Sequence, residues 1–315
     1  MYNKWSVCRL EEYKGIVMGS FEEDKDIIKQ NLECVTERPD AVFGIRMLME
    51  DKCEMPDRET VQDVMDRHLG RSECFCYDAQ VIGFSASQYS VHFAKENKDI
   101  SPQLLIMGCK PITAPVMDGM EKSQTWDCPE CDDILQQCTW QVAASDMMAA
   151  GLNYKERAEM LVQYVEALME LFPSCRAVVF DSSKKMFTRE KLIRCRLPME
   201  SRFIYYAVNV RLFNIQGAED MIVDSVGMSM LSLPDIQYHF HGVNPNAVVA
   251  HAYQILAYIF ASGNPIKSGD SIDGFRGGHM DPSVQWRVQY ENAMLPPARK
   301  LLDVNMGAYA AGVRE

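Results

Sequence analysis

Residues 140–180 read WQVAASDMMAAGLNYKERAEMLVQYVEALMELFPSCRAVVF, and three elements follow in order. Trp140 to Ala144 is short, apolar and strand-like. From about Tyr154 to Phe172, the residues Leu161, Tyr164, Val165, Leu168, Leu171 and Phe172 recur at helical spacing and share one face. Asn153 and Glu156 form an N-terminal cap pair, and Pro173, which cannot continue the hydrogen-bond ladder, stops the helix. Ala177 to Phe180 then supplies another strand. A one-faced helix of that length between strands needs a sheet to cover its apolar stripe, which places the chain in the mixed helix and sheet classes.

Toward the N-terminus, the apolar run Ala41 to Met49 predicts a strand. A helix follows, carrying Val61, Val64, Met65 and either His68 or Leu69 on its inner face. Asp57 caps the free N–H groups of its first turn, and Gly70 takes the left-handed conformation that ends it. Cys74 to Tyr77, Val81 to Phe93 with Gly83 at a bend, and Leu104 to Met107 predict an antiparallel meander.

Toward the C-terminus, strands are expected at Phe203 to Ile215, Met221 to Met230 and Ile236 to Phe240. A third helix is opened by Asn244-Pro245 and ended by Gly263-Asn264-Pro265. Trp286, Val288 and Tyr290 alternate onto one face of a final strand.

A similar order of strand, helix and further strands thus occurs twice. The expected fold is α+β, as two related halves, each a largely antiparallel sheet covered by one or two helices. The halves span residues 1–112 and 140–315. Residues 113–139, with Pro115, Gly119, Pro129 and a polar middle from Glu121 to Asp127, form a linker or irregular connection.

Composition bounds the function. A chain of 315 residues with 47% hydrophobic content buries a large core. With 32 Lys and Arg against 44 Asp and Glu, the net charge of -12 repels phosphate backbones and anionic headgroups, so neither nucleic acid nor membrane is an expected partner. Met1 to Gly15 mixes charges among its apolar residues and does not read as a signal peptide. The apolar segment Ala250 to Ala261 is shorter than the roughly 20 residues that span a bilayer. Eleven cysteines, an odd number in a long chain, read as free thiols in a reducing, cytoplasmic setting. The 21 methionines read as adaptable core filling.

Two patterns resemble metal sites. Cys128-Pro129-Glu130-Cys131 is a C-x-x-C, with Cys138 and Cys109 as further thiolate candidates for zinc. His239 and His241 stand two apart on a strand and share a face, His251 follows on the next helix, and Asp224 and Asp235 offer oxygen ligands. No cofactor is expected; zinc or another divalent metal at either set is the alternative. Gly227-Met228-Ser229-Met230 and Gly83-Phe84-Ser85-Ala86 lack the second glycine of a nucleophile elbow, and the sequence has neither a phosphate loop nor a dinucleotide fingerprint. Arg276 and Arg287 are candidates to grip an anion.

The C-terminal third carries Asp224-Ser225-Val226-Gly227, Leu233-Pro234-Asp235-Ile236-Gln237, His239-Phe240, Asn244-Pro245-Asn246, Leu256-Ala257-Tyr258, Gly269-Asp270-Ser271-Ile272, Trp286 and Tyr290-Glu291. In these it resembles the bacterial domain-of-unknown-function family 4261 over residues 200–303. Ser232 stands where that resemblance implies a glycine. The family brings no activity with it. The leading expectation is therefore a non-catalytic protein-interaction or regulatory module whose acidic surface suits a basic protein partner. The alternative is a metal-dependent small-molecule enzyme using Asp224, Asp235, His239, His241 and His251.

Overall fold

The structure, a computed structural model, describes residues 42–95 and 97–312. It divides into two compact units. The larger holds residues 42–209 together with Val226–Leu233; the smaller holds Val210–Ser225 and residues 234–312.

In the larger unit the strands are β1 (Gly44–Met49), β2 (Glu73–Tyr77), β3 (Val81–Ser85), β4 (Val91–Phe93), β5 (Lys98–Ile100), β6 (Gln103–Met107), β7 (Lys110–Pro111), β8 (Trp140–Met147), β9 (Ala177–Phe180) and β10 (Lys185–Thr188). Its helices are α1 (Arg58–Leu69), α2 (Gly119–Ser123), α3 (Cys131–Gln137), α4 (Tyr154–Leu171), α5 (Arg189–Ile193) and α6 (Met199–Ala207). The main sheet runs β10-β9-β1-β8-β6-β3-β2, with β7 added against β8. Its neighbours pair antiparallel.

Two of the predicted helices are built as read. Asp57 accepts from Thr60 N–H at the start of α1, and Gly70 closes it at φ 76°. In α4 the Asn153 side chain accepts from Lys155 N–H, and Leu161, Tyr164, Val165 and Leu168 are buried. Each fully buried leucine or valine contributes about 1.5–3 kcal/mol, so this stripe outweighs the caps. The Tyr164 hydroxyl, sealed beneath the helix, donates to Leu105 O at 2.8 Å and fixes α4 over β6.

The smaller unit holds β11 (Asn209–Asn214), β12 (Met221–Val226), β13 (Asp235–Phe240), α7 (Pro245–Ser262), β14 (Ser271–Arg276), β15 (His279–Asn292) and β16 (Lys300–Asn305). The sheet order is β11-β12-β13-β16-β15-β14. Strands β13 and β16 pair parallel. That pairing needs a long return connection, which α7 and the β14–β15 hairpin provide. Trp286 and Val288 of β15 are buried as the alternation requires.

Both units are largely antiparallel sheets with helices, so the α+β class holds. The expected halves do not. Strand β1 pairs with both β8 and β9, which puts the two sides of the supposed linker in one sheet. Residues 113–139 are no linker either. They form α2 and α3, and Val116, Met117, Cys128, Cys131, Ile134 and Cys138 are buried in a cluster with Leu48, Val179 and Met186. Helices this short fall below the length at which periodicity is visible.

Phe203–Ala207 is helical rather than strand. Pro198 opens α6, and Phe203, Ile204, Tyr206 and Ala207 bury at helical spacing; packing overrides the strand preference of the aromatic and β-branched run. The readings of Met1 to Gly15 and Ala41 lie outside the described residues. Among the described residues, no helix is long and apolar enough to cross a membrane.

Candidate functional site

The structure brings two of the five expected acid and imidazole residues together. Asp224 of β12 and Asp235 of β13 are both buried, and Arg299 lies between them. Its Nη2 donates to Asp224 Oδ2 at 2.8 Å and to Ser225 O at 2.6 Å. Its Nε stands 3.4 Å from Asp235 Oδ2. Nη1 donates to Leu295 O and Pro297 O, so the Pro-rich turn before β16 locks the guanidinium. Arg211 of β11 grips Asp224 with two bonds, at 2.8 and 2.6 Å. Ser225 Oγ donates to Asp235 Oδ1 at 2.8 Å and accepts from Ile236 N–H. One step along the sheet, Gln237 donates to Asp303 at 3.1 Å. Both carboxylates thus meet buried arginines in an internal ion network of two cations and two anions. Asp235 is a strand residue inside this network.

The histidines go elsewhere. His239 and His241 share a strand face as expected, but the carboxylate they meet is Asp220, at 3.7 Å from His239 Nε2 and 3.9 Å from His241 Nδ1. His251 is buried under α7. Its Nε2 faces the Asp273 carbonyl and its Nδ1 the Tyr238 hydroxyl, both at 2.8 Å. A carbonyl only accepts, so Nε2 carries the proton and Nδ1 accepts from Tyr238. Burial pushes the His251 pKa down to about 4. It is a neutral core histidine, packed edge-on against Trp286.

The cysteine set does not converge on an ion. Cys128, Cys131 and Cys138 are buried in the apolar cluster around α3. Burial pushes the Cys128 thiol up to about 12 and Cys138 up to about 11, and it raises Cys131 as well. Thiols held protonated are poor metal ligands. Among the described residues, no group of three or more His, Cys, Asp or Glu side chains could hold a metal ion. Neither expected metal set is assembled, because each of its members is spent on packing or on a separate partner. Arg276 pairs with Asp281, and Arg287 sits opposite Ser271 in the sheet register.

The surface feature that sequence reading missed lies in the supposed linker. Asp118 caps α2 in a reciprocal box with Glu121. Lys191 Nζ donates to Asp127 O at 2.6 Å, and the buried Lys185 stands 3.4 Å from the Asp127 carboxylate. Arg46 Nη2 donates to Val116 O. These bonds and the buried cysteines fasten a lobe, residues 112–139, whose outer side carries Asp118, Glu130, Asp132 and Asp133. Asp132 pairs with Lys122 at 3.0 Å. Glu130 and Asp133 meet no cation among the described residues. The same lobe exposes Trp126, at 46%, and Met120, at 43%. Trp126, in a run of turn and acidic residues, was the one signal available in the sequence.

Residues 224–305 match the domain of unknown function DUF4261. The DUF4261 match takes in Asp224, Asp235, His251 and Arg299, so the ion network belongs to it except for Arg211. No curated protein and no solved structure matches the chain.

Within the DUF4261 match the chain turns sharply between β12 and β13. Gly227 adopts φ 134°, and a Cβ there would lie 2.4 Å from the Ala207 carbonyl oxygen. Met228–Leu231 makes a 3-10 turn, and Ser232 closes it in the left-handed region at φ 58°. The expected glycine position therefore does need a left-handed residue, and this chain meets the need with serine. The acidic lobe lies outside the DUF4261 match.

Proposed function

We propose that the protein is a cytoplasmic, non-catalytic interaction module that docks a basic protein segment on the acidic lobe. The observation that carries this reading is the exposure of Trp126 and Met120 on the same lobe as the exposed Asp118, Glu130, Asp132 and Asp133. Tryptophan is among the residues that most often dominate binding energy, because its large rigid face loses little entropy on docking. The carboxylates steer a cationic partner toward it and set its register. A net charge of -12 adds a long-range attraction for such a partner. The cytoplasmic setting suits nine described cysteines that are all free thiols.

The test uses the full chain and a synthetic peptide of alternating arginine and leucine. Binding should weaken steeply with salt and blue-shift tryptophan emission, and Trp126→Ala should lose the shift and about 30-fold in affinity, the equivalent of about 2 kcal/mol. The triple change Glu130→Gln, Asp132→Asn, Asp133→Asn should slow association with little effect on thermal stability. Wild-type affinity in both variants would end the proposal.

A further inference from the structure

All nine described cysteines lie in the larger unit, and one pair differs from the rest. Cys53 follows β1, and Cys109 lies between β6 and β7. The backbone N–H of Cys53 donates to Cys109 Sγ at 3.4 Å. The Cys53 thiol interacts with the Cys109 side chain. Both side chains are half-buried, so small solutes reach them. The other thiols lack one condition or the other. Cys128, Cys131, Cys138 and Cys175 are buried. Cys74 donates its thiol to the Cys76 carbonyl, and Cys195 lies beside a tyrosine, Tyr206.

We propose that Cys53 and Cys109 are a redox-sensitive site in which a hydroperoxide drives formation of a reversible disulfide. The chemistry follows from this contact. The Cys53 N–H points at the Cys109 sulfur and marks it as the accepting sulfur of the pair, so Cys109 attacks the peroxide. Its sulfur bonds one oxygen, the O–O bond breaks, and the second oxygen leaves as water, giving a sulfenic acid at Cys109. Cys53 is already in contact. Its sulfur displaces the hydroxyl, and its proton leaves with that hydroxyl as a second water. Two thiols and one hydrogen peroxide become one disulfide and two waters. Burial first, and then the neighbouring Cys109, push the Cys53 thiol up to about 12. It therefore waits as the protonated resolving partner rather than the nucleophile. The bond would tie the segment between β1 and α1 to the end of β6, closing a covalent loop that contains α1 and β2 to β6. Loop closure restricts the unfolded chain and so stabilises the fold.

The pair can be isolated by peptide mapping. Tryptic peptides 53–58 and 99–122 each hold one cysteine, because Lys110 precedes proline and resists cleavage. Reduced full-length protein treated with equimolar hydrogen peroxide, alkylated and digested without reductant should yield these two peptides cross-linked, with two hydrogens lost. Dithiothreitol should separate them. The oxidised protein should unfold at higher urea than the reduced form, and Cys53→Ser or Cys109→Ser should abolish both the cross-link and the shift. In Cys53→Ser, dimedone should trap a sulfenic acid on peptide 99–122, a readout that does not depend on disulfide geometry. Recovery of both wild-type peptides alkylated, or of a cross-link confined to other cysteines, would overturn the proposal.

Discussion

The Tyr238 hydroxyl donates to His251 Nδ1 at 2.8 Å, inside a buried site where protonation of the ring is disfavoured. The acceptor nitrogen is the one that must be protonated to charge the ring, and it has no route to water. Burial lowers the folded pKa to about 4, from 6.5 for the free side chain. A depressed pKa means that the fold prefers the neutral ring. Its contribution is complete above pH 6.5 and is lost as pH falls toward 4, by up to about 3 kcal/mol. Urea unfolding followed between pH 7.5 and 4.5 should show wild type exceeding His251→Gln by about 2 kcal/mol at the upper end. The gap should close at the lower end.

Removing Arg299 should be among the most damaging single changes. Arg299→Met would leave the Asp235 carboxylate buried without its guanidinium and Asp224 with Arg211 alone. Breaking a buried pair costs about 3–5 kcal/mol, because the remaining charge stays out of water. Chemical denaturation should show a fall of that size in the smaller unit. A loss below about 1 kcal/mol would mean that water already reaches Asp235.

Gly227 has no substitute. A Cβ at this position would meet the Ala207 carbonyl oxygen at 2.4 Å and Val208 Cα at 3.0 Å, both backbone atoms that cannot step aside. Gly227→Ala should cost about 3 kcal/mol or more, read as a lower melting temperature or as failure to accumulate in soluble form.

Ser232 should behave in the opposite way. It is exposed, and its left-handed backbone at φ 58° carries a strain of about 1 kcal/mol that glycine would relieve. Part of that gain is offset by the freer unfolded chain. Ser232→Gly should raise the melting temperature by about 1–2 °C, while Ser232→Val should lower it by more. Calorimetry on both variants checks the order.

What could be read from the sequence is what depends on neighbours in the chain. Asp57 and Gly70 bound α1, and Asn244 and Gly263 bound α7, because caps act within a few residues of the ends they specify. The same-face rule correctly placed His239 beside His241, but not their carboxylate, because Asp220 arrives from before β12. The ion network was half legible. Asp224 and Asp235 stood out as candidate oxygen ligands, yet Arg299 comes 75 residues after Asp224, and nothing local marks it as their cation. The lobe was misread for another reason: α2 and α3 span five and seven residues, too few to show an apolar period. The strand preference of Phe203 to Ala207 lost to packing around Phe187 and Phe180.

The edges of the DUF4261 match follow neither unit. Val226–Leu233 belongs to the larger unit although it lies inside the match, and Arg211 belongs to the smaller unit although it lies outside. A fragment cut at residues 224–305 would carry an orphaned piece of one folding body and lack a strand and a counter-ion of the other. It should therefore precipitate or stay unstructured when expressed alone. For this chain, the stretch over which likeness is detectable and the stretch that folds cooperatively are different stretches.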